Sequence, residues 1–516
     1  MNNNATNQNV QEEIIETEKK THAVYGQEKR KSDKVAKKAA ATKQDALKQK
    51  RNLRDKTHTN EEFLMQKANE IKNSLTAHTW RDLEVNRKFD HDKKLTFIKD
   101  DMLIVGCDIG SEMHFFRAID SKGIELGKKP VAFPNSEEGY QGAIQWAIDL
   151  AARNDKTQII LGLEPTGHYW FTIASWMVAN GISVVQVNPY AVRCTKEVGD
   201  NSQMKDDRKD PKVIAELVKN GNYGMPYLPE GVYAEIRGLS GYRNQLMEDR
   251  IRSINRLHRE MKIYFPEYKS VVGKFEGAFS LRLLEAASMP EDILALGEAG
   301  IKAIWKAAKL KGCGYNKAKS ILLAASNSVG LKEGQVAGRM AIKRFASQII
   351  SLSSEIDRTE ELLREKCLEI PHAKNLLEIR GIGNDILAGI LGELGDINRF
   401  DSTKEIQKLS GLALVANNSG KHQGQVKISK RGRKKLRYWL YQGALSVIAQ
   451  SQEFREIHEY YTTRQQNPLK KIQSLIVIGC KLLRVICTML KKGTKYDPVK
   501  LKQDILRPAV EVAKPA

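Results

Sequence analysis

The stretch LIVGCDIG at residues 103–110 decides the fold. Its apolar run reads as a short strand. An aspartate at the end of such a run is costly to bury unless it pairs with or coordinates something. Downstream, HFFRAID at 114–120, a turn at 121–123 and an extended stretch ending near Phe133 predict two further short strands with tight connections. A helical pattern over 139–153 follows, then the apolar strand QIILGLE at 158–164. Next come a helix over about 169–180 closed by Gly181, the strand ISVVQVN at 182–188 and a helix over 206–220.

A strand meander followed by alternating β and α elements is the order of a ribonuclease-H-like α/β domain. Upstream, residues 19–56 hold fourteen Lys and Arg against four Asp and Glu, an excess of ten. With almost no large apolar side chain, this arm reads as disordered or helical, either as a solvated tail or as a polyanion-binding segment. Residues 232–369 carry heptad-like stretches such as IRSINRLHREMKIYF and read as long packed or coiled helices that space two active modules. At 376–397, LLEIRGIGNDILAGILGELGDI places Gly381 and Gly383 in a tight turn before a helix. Such a turn either grips a phosphate backbone through its amides or joins an ordinary helical hairpin.

Composition narrows the class. The 516 residues and 58.2 kDa predict two to four domains. A hydrophobic fraction of 41% is globular, while 28% charged residues and a mean hydropathy of −0.46 argue against an integral membrane protein. The apolar segment 472–490 carries Lys481 and Arg484 in its middle and reads as a buried helix. Lys and Arg total 84 against 62 Asp and Glu, a net charge of +22 that points to a polyanionic partner, nucleic acid before membrane. Six cysteines (Cys107, Cys194, Cys313, Cys367, Cys480, Cys487) form no CxxC pair or zinc spacing, and the first residues do not read as a secretory signal. A reducing cytoplasm is expected.

Candidate chemistry starts with carboxylates. Asp108 and Glu164 end separate strands, and neighbouring strands bring their ends to one rim of a sheet. In KDDRKD at 205–210, Asp207 and Asp210 are three positions apart, which on a helix places them on one face. Asp206 is the alternative ligand in another register. Four converging acids repel one another unless hard cations lie between them, and one or two such ions suit phosphodiester chemistry. Each acid alone also reads as a cap, a turn residue or a solvated helix face.

Ser419 precedes Gly420 in the polar stretch ANNSGKHQG, and eight Lys or Arg with no acid occupy 421–437. Lys421, Lys427, Lys430, Arg431, Arg433, Lys434 and Arg437 are therefore candidates for nucleic-acid contact. Ser419 reads either as a nucleophile or as a turn serine. Ser429 reads as a phosphate-contacting or capping residue, and His168 and His422 as polar surface or supporting groups.

These motifs together resemble the Piv-type DEDD insertion-sequence transposases, now understood as bridge-RNA-guided DNA recombinases. The carrying residues are VGCDIG, LEPTGHYW, VNPYAVR with KDDRKDPKVIAEL, and the block from IRGIGNDILAGILGELGDINRF through LSGLALVANNSG to ISKRGRKKLRYWL. The resemblance spans roughly residues 103–490. Pro211, Asp206 and Leu414 depart from the usual pattern without removing a catalytic group.

The resemblance implies an α/β plus α architecture. A RuvC/RNase H-like α/β domain occupies 99–225, a helical coiled-coil spacer 226–370, and a mostly helical C-terminal transposase domain with a helix-hairpin-helix-like motif 371–495. A basic N-terminal extension covers 1–98 and a tail 496–516. It further implies that Asp108, Glu164, Asp207 and Asp210 hold Mg2+, as one or two ions, and that Ser419 attacks a DNA phosphate to give a phosphoserine link. Donor and target DNA and a guide RNA are the implied partners, with a homodimer or homotetramer, composite sites between subunits, no membrane, and a cytoplasmic, nucleoid-associated location in a prokaryote. Competing expectations are a RuvC-like metal-dependent endonuclease hydrolysing branched DNA, an actin- or sugar-kinase-like ATPase, and a nucleic-acid-binding protein without activity.

Overall fold

The computed structural model describes residues 61–78, 91–165, 167–199, 210–309, 315–416, 418–419, 422–503 and 505, with five single positions from Lys34 to Lys48. The chain divides into two compact units, Met1–Tyr227 and Leu228–Ala516.

Unit 1 is mixed α/β with a central six-stranded sheet, consistent with the ribonuclease-H-like expectation. Strands β1 (Met102–Ile109), β2 (Met113–Ile119) and β3 (Glu125–Pro134) form an antiparallel meander. Strands β4 (Gln158–Leu163) and β5 (Ser183–Val187) add in parallel on the other side of β1, and the two-residue β6 (Tyr223–Gly224) closes the edge antiparallel, giving the order β3-β2-β1-β4-β5-β6. The continuous apolar run of β1 is explained by this central place: Met102 to Cys107 are all buried. Helices α3 (Glu137–Arg153), α4 (Trp170–Ala179), α5 (Pro189–Gly199) and α6 (Asp210–Lys219) cover or flank the sheet. Helix α6 starts at Asp210; the preceding part of the expected 206–220 helix lies outside the described residues.

Two strand glycines fix how α6 sits. A Cβ at Gly106 of β1 would lie 1.8 Å from the Pro211 carbonyl oxygen, and one at Gly162 of β4 would lie 2.4 Å from a Val218 methyl. Both positions therefore face α6, and with the two-residue period of a strand so do Ile104, Asp108 and Glu164. Ile104, Ile160, Val185, Ile214, Ala215 and Val218 make the apolar core on this face.

Residues 61–98, grouped by the sequence with the basic extension, supply part of unit 1. A helix over 61–74 (α1) buries Ala68 and Ile71, and Lys67 pairs with Asp155. The His78 amide donates to Ser183 Oγ at 2.9 Å. Helix α2 (His91–Phe97) is held by a reciprocal tie, Lys94 Nζ to the Tyr223 carbonyl and Tyr223 Oη to the Lys94 carbonyl at 3.0 Å. Phe97 and Ile98 pack against the α6-side core.

Unit 2 is helical apart from short ribbons. Helices α7 (Gly231–Tyr264) and α12 (Gln335–Leu368) run antiparallel, so that Arg243 meets Glu360, Arg250 meets Ser353 and Tyr264 meets Gly334 and Gly338. At one end α8 (Tyr268–Val272), α9 (Ala278–Ala286), α10 (Pro290–Ala307) and α11 (Tyr315–Ser326) build a core around Tyr268, Phe279 and Leu283. At the other end are α13 (Ala373–Leu376), α14 (Asn384–Leu394), α15 (Thr403–Ser410), α16 (Lys434–Gln450), α17 (Gln452–Thr463), α18 (Lys471–Lys492) and α19 (Pro498–Lys502). They share a second core with Ile236 of α7. Arg243 braces this end: it bonds Glu360 of α12 and Asp385 of α14 and lies over the Trp439 ring of α16. Helix α18 is long and apolar enough to cross a membrane by length and composition, but Ile478, Leu482, Leu483 and Ile486 are buried in this core, as the expectation of a buried helix requires.

Substituting Gly106 by Ala should cost about 1–3 kcal/mol, because the methyl meets backbone that cannot yield. Gly142→Ala is the matched control: it lies in α3 with nothing within 4 Å of its Cβ position, so it should be neutral or stabilising by about 0.5–1 kcal/mol. Urea midpoints of the two variants check this.

His114 of β2 is fully buried between the Phe133 and Tyr140 rings, and neither ring nitrogen has a hydrogen bond. Burial pushes its pKa below that of free histidine; Asn135 pulls the other way without meeting hydrogen-bond geometry. The folded state then binds fewer protons than the unfolded state, so stability present above pH about 6.5 should be lost as pH falls through the depressed folded pKa. His114→Phe should flatten that part of the pH dependence, measured by urea unfolding at pH 7.5 and pH 5.5.

Candidate functional site

The parallel register of β1 and β4 pairs Cys107 with Leu163, which sets Asp108 and Glu164 side by side at the same rim. Both face the α6 side, and Asp210 opens α6 one residue before the Pro211 carbonyl that covers Gly106. Three of the four expected acids thus converge on one face and one edge of the sheet. Asp206 and Asp207 lie outside the described residues, and among the described residues no ready cluster of three metal-ligating side chains is formed.

Electrostatics agree with the convergence. Burial pushes the Glu164 carboxyl above the usual range, Lys196 pulls it back, and the neighbouring Asp210 raises it again. Lys196, on α5, forms an ion pair with Asp210. The donor set is carboxylate oxygen throughout, with Glu164 and Asp210 close enough to repel each other and Lys196 paired to Asp210. It fits a hard divalent cation.

Sequence reasoning missed Lys196 and the two glycines. A signal for the glycines was present: GCD and GLE both place a glycine two residues before the acid, on the same strand face. For Lys196 there was none, since α5 and α6 meet only in the fold. His168, beside the rim in sequence, is exposed and lies tilted against the Tyr169 ring at 4.3 Å.

In unit 2, Ser419 ends β8 (Asn418–Ser419), which pairs antiparallel with β9 (His422–Gln423), setting Ser419 opposite His422. A second pair, β7 (Leu414–Val415) with β10 (Lys427–Ile428), brackets it in sequence. The stretch read as a turn is therefore two nested ribbon pairs. Leu414, Val415 and Val426 are exposed on it.

The basic loop that follows is locked to α15. Ser429 N donates to Ala413 O, Lys430 N to Gly411 O at 3.0 Å and Arg433 N to Leu409 O at 2.7 Å, while Lys430 takes φ +54° and Gly432 φ +138°. Lys427, Lys430, Arg431 and Lys434 are exposed. Arg433 and Arg437 are turned inward: Arg433 donates to the Glu393 carbonyl, and Arg437 Nη1 to the Ser410 carbonyl at 2.8 Å. Lys421 lies outside the described residues. Gly381, at φ +100°, packs against α16, where a Cβ would lie 2.7 Å from the Ser446 carbonyl oxygen; Gly383 caps α14 with open space around it. Close packing thus accounts for Gly381.

Known proteins match both halves. A DEDD transposase family model for IS110 elements covers residues 105–266, which include all four acids, and a model described as the transposase IS116/IS110/IS902 family covers 373–462, which include Ser419 and the basic block. The uncharacterized 42 kDa protein of insertion element IS900 from Mycobacterium paratuberculosis is 25% identical over 76% of this chain and 96% of its own length. The 44.8 kDa protein of IS116 from Streptomyces clavuligerus is 23% identical over 77% and 97%, and the 43.6 kDa protein of IS110 from Streptomyces coelicolor 21% over 77% and 95%. With the acid rim in one unit and the ribbon serine in the other, both inside segments matched by IS110-type transposase models, the chain is a DNA transposase.

Proposed function

We propose that this transposase breaks and rejoins DNA through a phosphoserine link made by Ser419, with the acid rim of unit 1 required for the chemistry. The observation that carries the reading is the convergence of Asp108, Glu164 and Asp210 on one edge of the sheet, with Lys196 as counter-charge to Asp210 and Glu164. Asp108, Glu164, Asp207 and Asp210 would hold one or two Mg2+ ions, which supply Lewis-acid stabilisation of phosphate oxygens.

The step balances as a phosphoryl transfer. Ser419 Oγ bonds to phosphorus, the bond from phosphorus to a deoxyribose oxygen breaks, the seryl proton is released and the leaving oxygen gains one. Attack by a hydroxyl of a second strand reverses the step and completes the exchange. Exposed Lys427, Lys430, Arg431 and Lys434 bind backbone phosphates, whereas Arg433 and Arg437 hold the loop that presents them.

The finer reading extends to the whole chain. Residues 99–225 act as a RuvC-like domain, 226–370 as a coiled-coil spacer and 371–495 as the serine domain with its helix-hairpin-helix-like turn. The protein acts in the cytoplasm as a dimer or tetramer, and a structured RNA encoded beside the gene pairs with donor and target DNA. Pairing by RNA would leave little sequence-reading apparatus in the protein.

Incubating protein, magnesium, flank-derived RNA and junction DNA should give a covalent protein–DNA adduct, visible on a denaturing gel. Ser419→Ala and Asp108→Asn should each abolish it, by at least about 100-fold, while retaining DNA binding. Cleavage that persists in Ser419→Ala without any adduct would instead identify a hydrolytic nuclease. Omitting the RNA should lower adduct yield; equal yield without it would remove RNA guidance from the reading.

A further inference from the structure

Helix α16 breaks a local rule. Its N-cap is Arg433, which makes no side-chain cap, its first turn holds no acid, and Lys434 and Lys435 open it. Cations at the positive end of a 17-residue helix are unfavourable, and an anion there would relieve them. The loop leading in adds exposed Lys430 and Arg431.

Arg433, Lys434 and Lys435 border a cavity of about 350 Å3. Arg237 and Ser240 reach it from α7, Glu393 from the end of α14, and Arg433, Lys434 and Lys435 from the start of α16. Four cationic side chains thus face one carboxylate. Gly392 lets α14 press on α7, its Cβ position lying 3.4 Å from Ser240 Cβ. Ser240 is only 7% exposed, lines the cavity, and makes no hydrogen bond among the described residues. Arg433 is fixed beside it by its bond to the Glu393 carbonyl. The site is therefore preorganised: a buried hydroxyl donor, two lysines on a helix start, and two arginines.

We propose that this cavity seats one backbone phosphate of a bound nucleic-acid strand, a contact supplied by neither Ser419 nor the acid rim. It rests on the nucleic-acid reading above and adds Arg237, Ser240 and Lys435 to it. A nucleic acid fits better than free phosphate because exposed cations continue from the cavity along the loop, as successive phosphates require.

The test is binding of the full chain to a 30-base-pair DNA and to flank RNA across a salt series. Lys435→Gln and Arg237→Gln should each reduce the slope of log K against log salt by about 0.9 on duplex DNA, with equal loss on all sequences. Lys435→Arg should keep the slope, and Ser240→Ala should weaken binding without changing it. Unchanged affinity and slope in every variant would overturn the proposal. So would stabilisation of the wild type by millimolar inorganic phosphate, lost in Lys435→Gln, with nucleic-acid slopes unchanged, since the ligand would then be free phosphate. If Lys435→Gln fails to fold, Ser240→Ala and Arg237→Gln still decide. A wild type that forms no adduct but shows the expected slopes would sink the serine chemistry and leave this contact standing.

Discussion

Unit 1 depends on the close approach of α6 to β1 and β4. Side chains normally hold a helix well off a sheet, but the absence of Cβ atoms at 106 and 162 removes that spacer. Glycine weakens a strand, and both glycines lie in central strands whose neighbours are fully buried. The approach in turn delivers Asp210 to the edge where Asp108 and Glu164 already meet through strand register. The placement of Asp108, Glu164 and Asp210 is thus written into backbone packing.

The sheet was legible because its strands announce themselves through unbroken apolar runs, and Asp108 and Glu164 because a carboxylate interrupts those runs. The two-residue β6 and the ribbon pairs around Ser419 are too short for any periodicity to report them. The place of residues 61–98 was hidden for a related reason. Ala68, Ile71, Phe97 and Ile98 are few among many charges, and a count of composition averages them away. Lys196 could not be found from sequence at all, since its role depends on two helices meeting. Asp207 and Lys421, both singled out from the sequence, lie outside the described residues.

The basic block of unit 2 shows why a charge count is a poor map of contacts. Eight cations in seventeen residues read as one class, yet two of the arginines spend donors on main-chain carbonyls. Arginine suits that task because its planar fork offers several donors in fixed directions. Arg433 satisfies a carbonyl at the end of α14, where helical partners have run out. Lys427, Lys430, Lys434 and Lys435 are exposed and keep their charge at the surface. The same loop is therefore both a structural clasp and a carrier of exposed positive charge.

The N-terminal helix α1 has a consequence for how the chain acquires its structure. Its ties are remote in sequence: Lys67 waits for Asp155, 88 residues on, and the His78 amide for Ser183, 105 residues on. During synthesis α1 emerges ahead of the sheet, yet its tie to Asp155 must wait for α3 and the His78 tie for β5, and closing so long a loop brings no contact before then. A segment made before the sheet is thus among the last to be secured.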